Sequence, residues 1–177
     1  MTPLDFASLL QPNLVLGENV LLLTPSLLLE HDLKGLILDV DDTLVPTWEE
    51  DVPPEVLAWL TDIKGQVSLW LVSNNLNHSR IRRIAETLGV PFLMGAAKPS
   101  RRKLRQALHA MNLPNAQVAM VGDRVFTDVL AGNRLGMFTI LVRPMANKAH
   151  PARGIFLIRS LEIFISRLLG ADISNQA

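Results

Sequence analysis

Five short apolar runs, separated by segments with helical periodicity, constrain the fold of this chain more than any other feature. The runs begin at Gly35 and are GLILDV, VSLWLV, VPFLM, QVAMV and MFTILV. Amphipathic segments near residues 54–63, 78–88, 100–111 and 127–135 alternate with them. Strands that are apolar along their whole length are typical of a parallel sheet covered on both faces. The alternation therefore predicts a doubly wound, Rossmann-like α/β fold with a parallel sheet of about five strands.

Apolar segments flank this alternating region on both sides. Residues 1–34 are rich in leucine and contain three of the prolines, and we expect them to pack on a main domain of residues 35–170. Within them, a short helix is predicted with Thr24 as its N-cap and Pro25 in its first turn. The C-terminal segment GIFLIRSLEIFISRLLG has helical spacing and is expected to complete the core. For both segments the alternative is a position on a membrane surface, and residues 171–177 are expected to fray.

The composition excludes several kinds of protein. The chain has no cysteine, which excludes disulfides and thiolate metal sites and fits a reducing compartment. No apolar run approaches the roughly 18 residues that span a bilayer. The N-terminal segment lacks the basic region of a signal peptide, so we expect a mature cytoplasmic protein.

The charges balance overall but are unevenly distributed. Residues 39–62 contain eight acidic residues and no Lys or Arg, whereas residues 76–105 contain eight basic residues and one acidic residue. This separation suits a protein that brings a metal cation and an anion together. Some basic side chains could bind anionic headgroups, although a solvated helix face is the simpler interpretation of any one of them. Without aromatic interleaving or a known motif, no nucleic-acid partner is expected, and the oligomeric state is left open.

Polar residues follow four of the predicted strands. They are Asp39, Asp41 and Thr43, then Ser73 to Asn75, then Lys98, and finally Asp123 and Asp128. A single Asp at such a position is often a turn residue or a helix cap. However, the ligands of open α/β sheets bind beyond the carboxyl ends of the strands. We therefore expect these polar side chains to lie close together at that edge of the sheet. Converging carboxylates are costly without a cation, and Mg²⁺ prefers oxygen ligands while keeping positions for water and phosphate.

The same residues suit phosphoryl transfer. Lys98 can neutralise phosphate charge and keep a nucleophilic carboxylate ionised, and Ser73 can donate to phosphate oxygens. Without cysteine, and without a Ser–His pair at motif spacing, the available nucleophile is a carboxylate. Such nucleophiles form aspartyl-phosphate intermediates.

The ordered motifs resemble those of the haloacid dehalogenase (HAD) superfamily. Residues 39–44, DVDDTL, resemble its DxDxT motif, and Ser73 and Lys98 match its second and third motifs. Residues 122–128, GDRVFTD, match the GDxxxxD form of the fourth. The resemblance covers roughly residues 35–142, and each motif stands at the end of a predicted strand.

The resemblance implies catalytic and metal-binding roles. Asp39 would be the nucleophile, and Asp41 would protonate the leaving oxygen and then activate water as a base. Mg²⁺ would be bound by Asp39, the backbone carbonyl of Asp41 and Asp123, with Asp128 in support. Lys98 would complete the catalytic group.

The remaining motif residues are expected to support this chemistry. Thr43 and Ser73 would orient the site and bind the substrate phosphate, with help from Asn74. Asp42 stands where many relatives have Gly or Asn. Its expected role is hydrogen bonding within the turn.

The spacing of the motifs leaves no room for a cap domain. Thr43 and Ser73 are separated by 29 residues, and Ser73 and Lys98 by 24, each filled by a predicted helix and strand. The site should therefore be open. The detailed pattern resembles the cap-less subclass IIIA, YqeG-like family, whose members include phosphatases of phosphatidylglycerophosphate. This implies an Mg²⁺-dependent phosphatase with an anionic lipid substrate and peripheral membrane contact.

Two alternatives are left open by the sequence. One is a phosphatase of the same superfamily that acts on soluble sugar, nucleotide or protein phosphates. The other is a phosphorylated receiver-type signalling module, which also combines Asp, Ser/Thr and Lys on a doubly wound sheet. Asp41, two residues after the expected nucleophile, argues against a receiver, because a receiver carries its acidic pair and its phosphorylated Asp on separate strands.

Overall fold

Six parallel strands form one open sheet in a computed structural model that describes residues 6–145 and 153–173. The strands are β1 (Leu14–Val15), β2 (Gly35–Leu38), β3 (Ser68–Val72), β4 (Phe92–Leu93), β5 (Val118–Gly122) and β6 (Phe138–Leu141). Their order across the sheet is β1-β6-β5-β2-β3-β4. The strand order reverses beside β2, which lies between β5 and β3. The predicted doubly wound α/β fold is confirmed.

Helices cover both faces of this sheet. They are α1 (Phe6–Leu10), α2 (Pro25–Glu30), α3 (Pro54–Ile63), α4 (His78–Leu88), α5 (Arg102–Met111), α6 (Leu130–Asn133) and α7 (Arg153–Leu168). Leu36 and Leu38 pack in one core cluster with α3 and α4, whereas Ile37 packs in a second cluster with α5. This is the period of two that a strand buried on both faces requires. None of the described helices is long and apolar enough to cross a membrane.

The edge strand β1 was not predicted, because it is only two residues long and lies in the proline-broken lead-in. It pairs with β6 through the register Leu14–Ile140 and Val15–Leu141. Asn13 reinforces the pairing, since its side-chain oxygen accepts hydrogen bonds from both the amide and the hydroxyl of Thr139, at 2.8 and 3.0 Å. The lead-in therefore extends the sheet as well as packing on it.

The C-terminal helix α7 is oriented differently from the expectation. Its polar residues Glu162 and Ser166 are buried, whereas Leu157, Leu161 and Phe164 on its other side are exposed. The expectation that its apolar stripe completes the core is therefore wrong for these three side chains. Of the expected frayed tail, Ala171 and Ile173 are instead buried in a cluster with Leu10, and residues 174–177 lie outside the described part of the chain.

Candidate active site

Three buried carboxylates meet at the carboxyl edge of the sheet, where β2 and β5 lie side by side. Asp39 follows β2 and Asp123 follows β5, and the amide of Asp39 donates to the carbonyl of Val121 at 2.9 Å. Asp128 completes the group, and one carboxylate oxygen from each of the three lies within 4.8 Å of the others. This is the crevice that a reversal of strand order creates.

A π-helical turn, Val125–Val129, carries Asp128 into this group and leads into α6. The helix predicted near residues 127–135 thus begins two residues earlier and with a wider turn, a feature common at functional sites. Gly122 permits the approach of Asp128. A Cβ atom at Gly122 would lie 2.3 Å from Oδ2 of Asp128 and 2.4 Å from its Cγ, so no larger residue fits beside this carboxylate.

Lys98 is the counter-ion of the group. Its buried Nζ lies 2.7 Å from Oδ1 of Asp39 and 2.7 Å from Oδ1 of Asp128, and it donates to the carbonyl of Val72 at 2.8 Å. Asn74 fixes the backbone of Lys98, since its side chain accepts from the Lys98 amide at 2.7 Å and donates to the Lys98 carbonyl at 3.2 Å. Contacts to both the side chain and the backbone of Lys98 therefore fix the position of its ammonium group.

Burial and mutual repulsion raise the pKa values of two of the three carboxyl groups, Asp39 and Asp123. Burial raises the pKa of Asp39 to about 7, with Lys98 opposing the rise and Asp128 adding to it. Burial, followed by the charges of Asp128 and Asp39, raises the pKa of Asp123 well above its ordinary range. Burial alone would lower the pKa of Lys98, but the charges of Asp128 and Asp39 outweigh it and raise that pKa. Fully ionised, the group would carry more negative charge than its own lysine neutralises, and Asp39 and Asp123 therefore hold protons more tightly than free carboxyls do.

A divalent cation fits this charge balance. Ionised Asp39, Asp123 and Asp128 with one ammonium leave two negative charges unbalanced in a buried place. Hard oxygen ligands of this kind, near an open cavity with space for water, suit Mg²⁺. The side chains predicted as metal ligands are therefore brought together.

Asp41 does not join the carboxylate group with its side chain. Its carboxylate is bound by Arg80, whose Nη1 lies 2.5 Å from Oδ1, and by Ser73 and Asn75 at 3.2 and 3.1 Å from Oδ2. Arg80 is itself buried and donates to the carbonyls of Glu49 and Pro46 at 2.9 and 3.1 Å. A role for Asp41 at the metal through its backbone carbonyl stays a prediction.

Arg80 has a role that the sequence did not reveal. The basic residues of segment 76–105 are expected to be solvated or to bind headgroups, and this expectation is wrong for buried Arg80. Arg83, one turn further along α4, does fit it, since it is exposed and pairs with Glu50 at 2.6 Å. No local pattern distinguishes the two arginines. The partner of Arg80 lies 39 positions away in the chain.

Two predicted substrate-binding residues lie behind the cavity wall. Thr43 is fully buried, and its hydroxyl has no hydrogen-bond partner among the described residues. Ser73 is also fully buried, and its Oγ bonds Asp41 and accepts from the amide of Asn75 at 2.9 Å. Neither lines the cavity, and their contact with the substrate phosphate stays a prediction. Asp42 forms the expected turn bonds, to the amide of Thr47 at 2.9 Å and to its hydroxyl at 2.5 Å.

An open cavity of about 250 Å³ lies over the carboxylate group. Besides the aspartates and Lys98, its lining comprises Thr47, Asn74, Asn75, Arg124, Thr127 and Ile158. Within the described residues no cap covers its mouth, as predicted, because the segments between the motifs consist of core helices and strands and the short loops that join them. The cavity thus suits a phosphate group that is part of a larger molecule.

Helix α7 supplies a wall that sequence reasoning missed. Buried Glu162 binds Arg124 at 2.9 Å from its Nε and accepts from the amide of Val125 at 3.1 Å. Arg159 donates to the carbonyls of Asp123 and Val142, each at 3.2 Å. Glu162 is the one acidic residue of this largely apolar helix, which was the available signal, since a carboxylate that becomes buried requires a cation in space.

Comparisons with known proteins agree with this geometry. A family model described as HAD-hydrolase-like matches residues 95–154. A protein of Bacillus subtilis (strain 168) named "Probable phosphatase YqeG" is 37% identical over 131 residues, which is 73% of this chain and 76% of that protein.

Two further comparisons concern a chloroplast enzyme and a crystal structure. The chloroplastic phosphatidylglycerophosphate phosphatase 1 of Chlamydomonas reinhardtii is 30% identical over 140 residues, which is 74% of this chain and 52% of that protein. The chain thus spans about half of that relative. An uncharacterized protein of Listeria monocytogenes serotype 4b has a TM-score of 0.53 at 16% identity, covering 77% of this chain and 99% of its own, a likeness of fold alone.

Proposed function

The chain belongs to the YqeG-like family of HAD-superfamily phosphatases, and we propose that it hydrolyses its phosphate ester through an aspartyl-phosphate formed on Asp39. The observation that carries this proposal is the contact of Lys98 with Oδ1 of Asp39 and with Asp128. This contact engages Oδ1 of Asp39 and leaves Oδ2 of the same carboxylate free to attack the phosphorus of the substrate. The ammonium also balances charge as the phosphoryl group arrives.

In the proposed first step, a carboxylate oxygen of Asp39 bonds to phosphorus while the bond from phosphorus to the ester oxygen breaks. The leaving oxygen takes the electron pair of that bond and receives a proton from Asp41. In the second step Asp41 takes a proton from water, the water oxygen attacks phosphorus, and Asp39 is released with inorganic phosphate. The contacts of Asp41 to Ser73, Asn75 and Arg80, which fix the direction of its side chain, support this role.

Mg²⁺ is the cofactor that we propose for this site, held by Asp39 and Asp123 with Asp128 in support. When bound, it neutralises charge on the carboxylates and on the phosphate. The buried, unbalanced negative charge of the group supports this choice.

We propose phosphatidylglycerophosphate as the substrate. Support comes from the Chlamydomonas relative, whose name gives that activity, and from the uncapped cavity, which accepts a phosphate on a large or surface-bound molecule. A soluble sugar, nucleotide or protein phosphate is the second candidate, since an open site does not exclude small esters.

The test is turnover of a panel of phosphate esters, including the lipid, by wild-type protein and by Asp39→Asn. We expect the lipid to be turned over fastest, and the variant to lose at least about 10³-fold in kcat while keeping its fold, because no nucleophile remains. Exposed Asp62→Asn is the matched control and should keep wild-type activity. Wild-type turnover by Asp39→Asn would refute the nucleophile, activity in EDTA equal to that in Mg²⁺ would refute the metal, and a lipid slower than all other esters would refute the substrate.

A further inference from the structure

Helix α7 presents an apolar stripe to the outside of the protein. Leu157, Leu161, Phe164 and Leu168 are 72%, 58%, 59% and 71% exposed. Their spacing of four, three and four places them on one side of the helix. A continuous stripe of this kind is unusual on a surface that faces only water, where apolar residues are scattered singly.

The opposite side of α7 is polar and is fixed to the protein. Glu162 binds Arg124 and the amide of Val125, and Arg159 binds two backbone carbonyls, those of Asp123 and Val142. Turning the apolar stripe inward would move Glu162 out to solvent and break these bonds. The amide of buried Val125 would then lack an acceptor, which is costly. The outward direction of the stripe is therefore built into the contacts of the helix.

The apolar surface continues to the mouth of the cavity. Ile158, next to the stripe, is 49% exposed and also lines the cavity. On another part of the lining, Asn75 is followed directly by Leu76, which is 80% exposed. Exposed apolar side chains thus stand beside the entrance that a substrate must use.

The charge of this face suits an anionic surface. Glu162 is the one acidic residue in α7, and it is buried against Arg124. Among the described side chains of the helix, the exposed charged residue is Arg167. A helix with Leu and Phe on its outer side, no exposed acid and an exposed arginine is suited to lie in the interface of a bilayer that contains anionic lipids.

We propose that the outer side of α7 docks on a bilayer containing anionic phospholipids and thereby presents the cavity to headgroup phosphates. This deepens the proposed function and rests on its lipid substrate. A phosphate on a lipid enters the cavity from the bilayer, so the surface beside the mouth must meet the bilayer. The stripe that includes Leu157 and Phe164 is that surface, and Ile158 joins it to the cavity.

The experiment measures sedimentation with phosphatidylcholine vesicles, with and without phosphatidylglycerol. Leu157→Gln should weaken binding about tenfold, and Leu157→Gln combined with Phe164→Gln about a hundredfold, because each change removes one large apolar side chain from the interface. Leu29→Gln is the matched control, since Leu29 is 77% exposed but lies in the last turn of α2, shortly before β2 begins and thus away from the carboxyl ends of the strands. It should bind vesicles as wild type does.

A soluble ester, p-nitrophenyl phosphate, separates docking from chemistry. All variants should hydrolyse it at the wild-type rate, while the double variant loses turnover of phosphatidylglycerophosphate incorporated into the same vesicles. Vesicle binding that is absent in wild type, or unchanged in the double variant, would overturn the docking proposal. So would self-association in sedimentation velocity that the double variant abolishes, because the stripe would then bind a second copy.

The same data distinguish the two proposals. If wild type binds vesicles through α7 but does not hydrolyse phosphatidylglycerophosphate incorporated into them, the docking surface stands and the lipid substrate is refuted. If it hydrolyses that lipid in detergent but does not bind vesicles, the proposed function stands and the docking surface is refuted.

Discussion

Replacing Gly122 by alanine should disable the active site by displacing one carboxylate. The added Cβ would lie 2.3 Å from Oδ2 of Asp128 and 2.7 Å from its Cβ, distances that atoms do not tolerate. Asp128 must then move by about 1 Å, since ordinary contacts between non-bonded heavy atoms begin near 3.5 Å. That movement separates Asp128 from Lys98, which it now meets at 2.7 Å.

The expected magnitudes follow from this displacement. A misplacement of about 1 Å in a catalytic arrangement can cost on the order of 10²-fold in rate, and we expect kcat to fall by about that factor. Overpacking should lower the free energy of unfolding by about 1–3 kcal/mol, which corresponds to a fall in Tm of roughly 2–12 °C for a chain of this length. The affinity for Mg²⁺ should weaken together with kcat.

Two other glycines provide controls for this experiment. Gly65 has open space around its Cβ position, so Gly65→Ala should change neither kcat nor Tm appreciably. Gly132→Ala would bring a Cβ within 2.6 Å of Thr139 and 3.0 Å of Met120 in the core. It should lower Tm while leaving kcat of the folded protein unchanged. The reasoning is refuted if Gly122→Ala keeps wild-type kcat and Mg²⁺ affinity, or if Gly132→Ala loses kcat to the same extent.

Two further predictions concern the charges of the site. Arg80→Met should lower kcat by about 10-fold or more, because Asp41 loses a buried charged hydrogen-bond partner that positions it. Arg83→Met, which removes an exposed pair, should leave kcat unchanged. Equal effects of the two substitutions on kcat would contradict the role assigned to Arg80. The second prediction concerns pH in the presence of EDTA. Because the pKa of Asp39 is raised to about 7 and that of Asp123 is also raised, the folded state holds more protons than the unfolded state above pH ~4. The free energy of unfolding should therefore fall as pH rises from 4 to 7, by at most about 1.4 kcal/mol per pH unit for each proton. Mg²⁺ should reduce this fall, which thermal unfolding at a series of pH values measures; a Tm in EDTA that does not change with pH would contradict it.

The main sheet was predictable because each of its buried strands carries its own signal. The segment of β2 is apolar at every position, which only a strand covered on both faces requires, and β5 has the same character. The edge strand β1 has no such signal. Its two residues become a strand through Asn13, which pairs with Thr139, and that pairing depends on the rest of the sheet being in place.

Part of the candidate site could also be predicted from the sequence, and part of it could not. Asp39 and Asp123 could be placed together because each directly follows a buried strand, and parallel strands end at one edge. The contacts of Arg80 with Asp41 and of Glu162 with Arg124 could not be predicted from the sequence. They join side chains on helices to residues in loops that lie 39 and 38 positions away in the chain. The direction of α7 was also beyond prediction, since its apolar stripe is equally compatible with a core and with an interface.

The pairing of β1 with β6 sets an order of events during synthesis of the protein. Asn13 and Thr139 are 126 positions apart, so β1 has no partner until the residues of β6 have been made. Ile158 and Glu162, which complete the cavity wall, come later still. At about 5–20 residues per second, the apolar lead-in waits for several seconds or more on the ribosome. Its strand pairs only after Thr139 has been joined, and the cavity wall is finished only after Glu162 has been joined.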